Sequence, residues 1–519
     1  MFGISFAVYA ALGWAGAYFV RVYNWDGVTR IAQAHGVLFS RDPHLAALGF
    51  IWPPFPAICE IPLVLILKQL GLVLLAGPLM SSLFGAFALA QTALFLQRLG
   101  IPRGWRLVWV TALGAHKLIL HNNVMGLSEA PFMAFLFLSL NGFLQWEQEK
   151  QPTGLVWAGI GAALAAFCRY EALAWSAAVS LGIIWVLAFQ TSSVWSRAST
   201  GSLLTFIAVP AWAMLLWILM NWQITGSPIY FLVGPGSTAT TPDTAHVVGQ
   251  SHPFFYAQGS VVGSILLLLK QAIELAPLLL PSSFLLATLA VLYRRWSDMA
   301  YLAMTWSILG FLFLIAFMGM LPPWSRYFFW MVPAEMIAAA LAYRAVGVGR
   351  LKLGIALCTT ILMIGSTGGL HLQAWNKIQQ PLPQRILSAL VAAPETAEYA
   401  WMGGQLDEFA EMAEYLNSQP KGKLTMIDAS VGSGIVFFVQ RPDELVLTTD
   451  SDFFKILAAP VGQVDQILVP RPTFDAMGRS EILKAYPGIY DGAEPWARLV
   501  HEFKGPGGWR LFQVVRSST

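Results

Sequence analysis

Apolar runs long enough to cross a bilayer follow one another through the first 370 residues, separated by short polar stretches. A spanning helix needs about 20 mostly apolar residues. Runs of that kind at 2–22, 77–97, 105–121, 127–145, 154–170, 172–190, 202–222, 275–293, 299–319, 327–345 and 352–370 predict eleven spans. Segment 2–22 is too long and continuous for a cleavable leader, and no small-residue cleavage site follows it, so it stands as the first span. Two further apolar segments are interrupted, 55–75 by Pro56, Glu60, Pro62 and Lys68, and 256–274 by Lys270 and Glu274. They predict helices lying at the interface or packed inside the bundle. Beyond 370 the pattern shortens. An acidic amphipathic helix is predicted at about 405–418, with strands at Leu424–Ala429, Val436–Val439, Leu445–Thr448 and Ile467–Val469. A final pair, 497–504 and 509–515, flanks a turn at Gly505–Gly508. The expected fold is a polytopic α-helical membrane protein with a C-terminal α/β domain.

Composition sharpens this picture. Of 519 residues, 56% are hydrophobic and 11% charged, against about 25% charged in an average soluble protein. A soluble enzyme and a disordered chain are excluded. A net charge of +3 without a lysine-arginine run excludes a nucleic-acid binder. Cys59, Cys168 and Cys358 lie far apart in apolar segments and suggest neither a disulfide framework nor a thiolate metal site. Residues 1–370 hold 29 charges and residues 371–519 hold 30. That contrast predicts a membrane domain, 1–370, and a soluble domain, 371–519, with the boundary near Gly369–Gln380.

Basic residues orient the spans. Short cytoplasmic loops are rich in Lys and Arg. With the N-terminus inside, such loops hold Arg98, Arg103, Arg106, Lys150, Arg197, Arg294, Arg295, Arg344, Arg350 and Lys352. Residues 23–76, residues 223–274 and the C-terminal domain then face outside. A span at 55–75 would reverse everything after it and put most of these residues outside. Ionisable groups at membrane depth are costly and point to function. Glu147, Glu149 and Asp298 read as solvated charges of inside loops, and Glu335 as a hydrogen bond between helices. Asp26, Asp42, Glu60, Glu129, Glu171, Asp243 and Glu274 map to the outer face with Arg30, Arg169 and Arg326. Asp26 and Arg30 share one face of a short helix whose apolar stripe, Ile31, Ala34 and Leu38, suits it to lie flat on the membrane. A helix cap paired with Arg30 is the plain reading of Asp26.

A first span, an acidic residue opening a long outside loop, a juxtamembrane helix and Trp52-Pro53-Pro54 together resemble the polyprenyl-phosphate-sugar-dependent glycosyltransferases of the GT-C fold. Protein O-mannosyltransferases and the aminoarabinose transferases of lipid A belong to it. Gly126-Leu127-Ser128-Glu129 is similar to the family's second acidic position, and Arg169-Tyr170-Glu171 to its R-x-E turn. Thr225-Gly226-Ser227-Pro228 resembles the T-G-N-P stretch before the variable loop, and Trp324-Ser325-Arg326-Tyr327 the arginine that meets the donor phosphate. Many members carry two adjacent acids in the first loop; here Gly27 follows Asp26.

The resemblance implies an inverting transfer of a sugar from a polyprenyl-phosphate donor to an acceptor hydroxyl, outside a bacterial inner membrane. Asp26 would be the base and Glu129 a second catalytic acid residue. Arg326 with Tyr327, Arg30 and Arg169 would hold the donor phosphate. Glu171, Asp42 and His44 would position the acceptor or a metal. The lipid tail would lie along the aromatic 327–331 stretch. The acceptor is a lipid, glycan or protein; a divalent ion stays open, no nucleotide is expected, and no Rossmann or phosphate-loop fingerprint is present. His44 with Asp42, or His246 with His252, are the candidate metal ligands. Phosphate binding at Gly432-Ser433-Gly434 is a minor alternative. The rival classes are a transporter or flippase, for which no internal repeat is seen, and a non-catalytic part of a polysaccharide assembly system.

Overall fold

The computed structural model describes residues 1–191, 197–234, 237, 256–321, 325–347, 349–368 and 397–515. Helices dominate up to residue 368 and pack as one bundle: α1 (Phe2–Trp14, continued by a π-helical turn to Val20), α2 (Trp25–Phe39), α3 (Phe55–Gln69), α4 (Ala76–Arg98), α5 (Arg103–Ala115), α6 (Lys117–Val124), α7 (Glu129–Glu149), α8 (Pro152–Ala166), α9 (Ala172–Thr191), α10 (Arg197–Thr225), α11 (Tyr230–Val233), α12 (Val261–Leu275), α13 (Leu279–Leu292), α14 (Trp296–Phe317), α15 (Met331–Ala345) and α16 (Arg350–Gly368). Among the described residues, five helices are long and apolar enough to cross a membrane, and seven if the bent pairs α6–α7 and α12–α13 each count as one span. The other four predicted spans are α5, α8, α15 and α16, helices of 13 to 19 residues.

Small residues allow the closest packing. Glycines let helix backbones approach where apolar burial alone gives no preference among partners. A Cβ on Gly142 would lie 2.5 Å from Ala158 N, and one on Gly161 would lie 2.5 Å from Ser139 N. Gly142 and Gly161 therefore fix the α7–α8 pair, the centre of the bundle. The bend between α12 and α13 is held by Glu335, whose Oε2 accepts the Leu278 N–H at 3.0 Å. That is the interhelix bond its sequence position predicts.

The C-terminal part carries α17 (Ala397–Ser418) and a five-stranded sheet of β1 (Thr425–Ile427), β2 (Leu445–Leu447), β3 (Gln466–Val469), β4 (Ala497–Glu502) and β5 (Arg510–Val514). Strand order is β2-β1-β3-β5-β4, parallel across β2, β1 and β3 and antiparallel beyond. The predicted strand Val436–Val439 is instead a 3-10 turn, Ser433–Phe437. Both edges of β1 are already paired, and Ile435 and Val436 are buried under α17 and α2. Gly432 and Gly434 are closed off by the Ile427, Trp509 and Phe409 side chains, so they form no phosphate loop.

Two sequence expectations about charges and faces are corrected here. Asp298 is not a solvated loop charge: its side chain is fully buried, ion-paired to Arg344 and to Arg295 at 2.9 Å. The apolar stripe of α2 does not lie open toward the membrane. Ile31 and Ala34 are buried against the bundle, and Ile31 reaches the Gly77 backbone.

Candidate functional site

The end of the bundle opposite Asp298 gathers the predicted charges. α7 begins there at Glu129, α8 ends there before Arg169, and α2 crosses it with Asp26 in its first turn. Asn24, not Asp26, caps α2: Asn24 Oδ1 accepts the Asp26 N–H at 3.0 Å. The Asp26 carboxylate is therefore free of capping duty and pairs with Arg326. The same Asn24 Oδ1 accepts from Arg326 Nη1 at 3.5 Å, so one side chain ties the helix start to the arginine. Nothing in the motifs marked Asn24; the signal available was its position two residues before an acid at a predicted helix start.

Gly27 explains the missing second acid. A Cβ there would stand 2.4 Å from Met125 O, and Gly126, at φ +73°, packs against both Gly27 and Gly77. Only glycines let α2 settle onto the turn before α7, and that contact is what delivers Asp26 to Arg326.

Around this pair the other charges interlock. Arg169 Nη1 lies 2.8 Å from Glu129 Oε1, and its Nη2 donates to Glu171 Oε1 at 2.7 Å. Tyr327 sits between two guanidinium groups, its ring centre 4.9 Å from Arg169 and 5.3 Å from Arg326. Arg30 does not pair with the Asp26 side chain. It donates to the Asp26 carbonyl and to Ser128 Oγ, each at 3.4 Å, and stacks over Trp52 at 4.9 Å. Burial alone would push the Asp26 carboxyl up; the facing Arg326 and Arg30 outweigh it and hold Asp26 below the ordinary carboxylate range. Burial pushes the Glu60 carboxyl well up, with Arg30 opposing, and both Glu60 oxygens are buried without a hydrogen-bond partner.

Two expectations fail here. Asp42 and His44 stand apart from the charge cluster: Asp42 Oδ2 accepts from Ser451 Oγ at 2.7 Å, and His44 Nδ1 contacts the Asp42 carbonyl at 2.6 Å. The 327–331 stretch lines no lipid groove, because Phe328, Phe329, Trp330 and Met331 are core residues, Trp330 packing on Phe137 and Trp175. A divalent ion does not fit the acids, since Arg169 already bridges Glu129 and Glu171. Among the described residues no three His, Cys, Asp or Glu side chains converge. Asp243, His246, His252 and Trp324 lie outside the described residues.

No family model matches the chain, and no curated protein matches it. Solved structures do. ArnT, the aminoarabinose transferase of Cupriavidus metallidurans, matches in its undecaprenyl-phosphate-bound structure with TM-score 0.56 and 12% identity, over 99% of this chain and 98% of that one. Its apo structure matches with TM-score 0.52 and 12% identity, over 94% and 92%. The oligosaccharyltransferase AglB of Archaeoglobus fulgidus, in complex with an inhibitory peptide and a dolichol-phosphate, reaches a TM-score of only 0.43 at 12% identity, over 100% of this chain and 74% of that one. From its first helix to its C-terminal sheet the chain is built as ArnT is built, and its fold is the GT-C fold.

Proposed function

We propose that this chain is an inverting membrane glycosyltransferase that moves a sugar from a polyprenyl-phosphate donor to an acceptor hydroxyl. The observation that supports it most directly is the Asp26–Arg326 pair, a carboxylate and a guanidinium brought together from positions 300 residues apart. The acceptor oxygen attacks the anomeric carbon, the bond from that carbon to the phosphate oxygen breaks, and the hydroxyl proton passes to Asp26. The leaving phosphate is stable as an anion, so it needs a cation rather than an acid. Arg326 supplies it, and Tyr327 fixes the guanidinium plane.

Asp26 holds its place as base because its helix is capped by another residue and its carboxylate is ionised at neutral pH. Glu129 and Glu171 hold Arg169 beside Tyr327 and so shape the wall of the site. No step is assigned to a metal.

Eleven spans, a membrane domain at 1–370, a soluble domain at 371–519 and a site on the outer face of a bacterial inner membrane belong to the same proposal. The basic residues of the short loops support the orientation. Transfer from radiolabelled polyprenyl-phosphate sugars to membrane extracts tests the reaction. Turnover that survives Asp26→Asn removes the base, and no transfer from any such donor favours a transporter or an assembly component.

A further inference from the structure

α2 is buried on two sides, and only one of them belongs to the bundle. Gly27 and Ile31 meet Met125 and Gly77 of the bundle. Trp25, Val28, Ala32, His35 and Phe39 recur at helical spacing and form a second stripe, roughly a third of a turn away. The C-terminal part covers this one. Trp25 lies edge-on to Phe409 of α17 with ring centres 6.3 Å apart, and His35 lies edge-on to Phe437, also at 6.3 Å. Val28 and Ala32 share one continuous apolar cluster with Phe409 and Met412. The side left over carries Asp26 and Arg30.

Polar contacts lock both ends of the second stripe. Before α2, Arg21 Nη1 donates to Asp407 Oδ2 at 3.2 Å. Arg21 itself stands at φ +56°, a left-handed conformation that a non-glycine residue keeps where its surroundings over-determine it. After α2, Arg41 Nη2 donates to Asp450 Oδ2 at 3.0 Å and pairs with Asp452, and Asp42 Oδ2 accepts the Ser451 N–H at 3.0 Å. Asp407 and Phe409 belong to one turn of α17, so that turn grips the chain just ahead of Asp26 twice. Trp25 Nε1 is buried with no hydrogen-bond partner, so packing rather than a polar contact sets the indole.

We propose that Phe409 is a positioning residue for the transfer: through Trp25 it fixes the first turn of α2, and with it the reach of Asp26 toward the acceptor hydroxyl. The C-terminal part is then a component of the site, acting through the base. The inference rests on the glycosyl-transfer reading above. A general base must stand within hydrogen-bond reach of the proton it takes. Misplacing it by about 1 Å through a remote change can cost about a hundredfold in rate. Arg326 belongs to a different element, the 3-10 turn Ser325–Phe328, so carrier binding does not depend on Phe409.

Full-length protein in nanodiscs gives three readings. These are single-turnover transfer from a radiolabelled polyprenyl-phosphate sugar, binding of tritiated undecaprenyl phosphate, and amide hydrogen exchange over residues 25–30. Phe409→Leu keeps an apolar side chain but removes the ring that meets Trp25. It is expected to slow transfer about 10- to 100-fold per carrier-binding site, to speed exchange over 25–30, and to leave carrier affinity undiminished. In an Asp26→Asn background the same change should cost no further rate, because the group it positions is gone. Asp407→Asn breaks an exposed pair and spares the fold, and should slow transfer about threefold; it carries the test if Phe409→Leu folds poorly. Transfer per site that matches wild type in both variants overturns the proposal. So does an equal loss in the Asp26→Asn background, which would make Phe409 a support of the whole fold. Unchanged exchange over 25–30 in Phe409→Leu overturns it without reference to sugar transfer. Wild-type protein that transfers no sugar from any such donor is instead a failure of the glycosyl-transfer reading, and this inference falls with it.

Discussion

Asp26 and Arg326 compete and cooperate, and a double-mutant cycle separates the two. In the free protein they neutralise each other, with 30% of the Asp26 side chain and 14% of the Arg326 side chain exposed. A donor phosphate must share Arg326 with Asp26. Arg326→Ala removes a charge-assisted contact of about 1.5–3 kcal/mol, which weakens undecaprenyl phosphate roughly 10- to 150-fold. Asp26→Asn has the opposite sign on binding. It releases Arg326 to the phosphate, so donor affinity should stay equal or rise, while turnover falls roughly 10²–10⁴-fold with the base. The double variant should bind like Arg326→Ala, because nothing remains for Asp26 to compete over. Radioligand binding and single-turnover transfer on protein of unchanged melting temperature supply all the numbers. If Asp26→Asn loses donor affinity in step with Arg326→Ala, the pair is a structural clamp and the division of labour argued here is wrong. If it transfers sugar at near wild-type rate, Asp26 is not the base.

Other perturbations test the frame around that pair. Gly27→Asp, which installs a second acid beside Asp26, should lower the melting temperature and reduce transfer, since its Cβ meets Met125 O at 2.4 Å; overpacking of this kind costs about 1–3 kcal/mol. Gly161→Val should separate α7 from α8 and destabilise the fold by a similar amount, read by thermal unfolding in detergent. Asp298→Ala leaves Arg295 and Arg344 without their shared carboxylate and should cost about 3–5 kcal/mol, with undecaprenyl phosphate affinity in the surviving folded fraction unaffected because the site is at the other end of the bundle.

The helical bundle, the C-terminal sheet and most of the charge cluster were legible in the sequence for one physical reason. Apolar runs and ionisable residues at membrane depth have few tolerable arrangements, so their positions are informative. Glu129, Arg169, Glu171, Arg326 and Asp26 do meet. What periodicity could not show were contacts set by the absence of a side chain or by long-range geometry. Gly27 reads as a missing acid in the sequence and as a close-packing contact in three dimensions. Asp42 and His44 look like ligands by spacing, yet Asp42 is taken up by Ser451, more than 400 residues away along the chain. Asp298 looks like loop charge beside Arg295, because its second arginine partner, Arg344, is recognisable only once α14 and α15 are packed. The 327–331 aromatics read equally as lipid-facing or core, and hydropathy does not distinguish them.

The charge balance of the cluster leads to a last expectation, about pH. Three carboxylates, Asp26, Glu129 and Glu171, face three guanidinium groups, Arg30, Arg169 and Arg326. Without substrate the set is balanced, and Asp26 sits below the ordinary 3.8 because its cations outweigh its burial. A donor phosphate adds a negative charge against Arg326 and screens the cation that holds Asp26 down most. The burial that raises the carboxyl is undiminished. Donor binding must therefore raise the Asp26 pKa and make it a better base at the step where a base is needed. The sign for the free protein is the reverse. A depressed carboxylate contributes stability above its unfolded pKa and loses it only as pH falls through the folded one, so no acid destabilisation traceable to Asp26 should occur above about pH 4. The acid limb of kcat/KM for the donor reports the free enzyme and should lie below that of kcat, which reports the loaded one. Coincident limbs would show that the phosphate does not share Arg326 with Asp26, and a kcat limb at lower pH than the kcat/KM limb would reverse the argument.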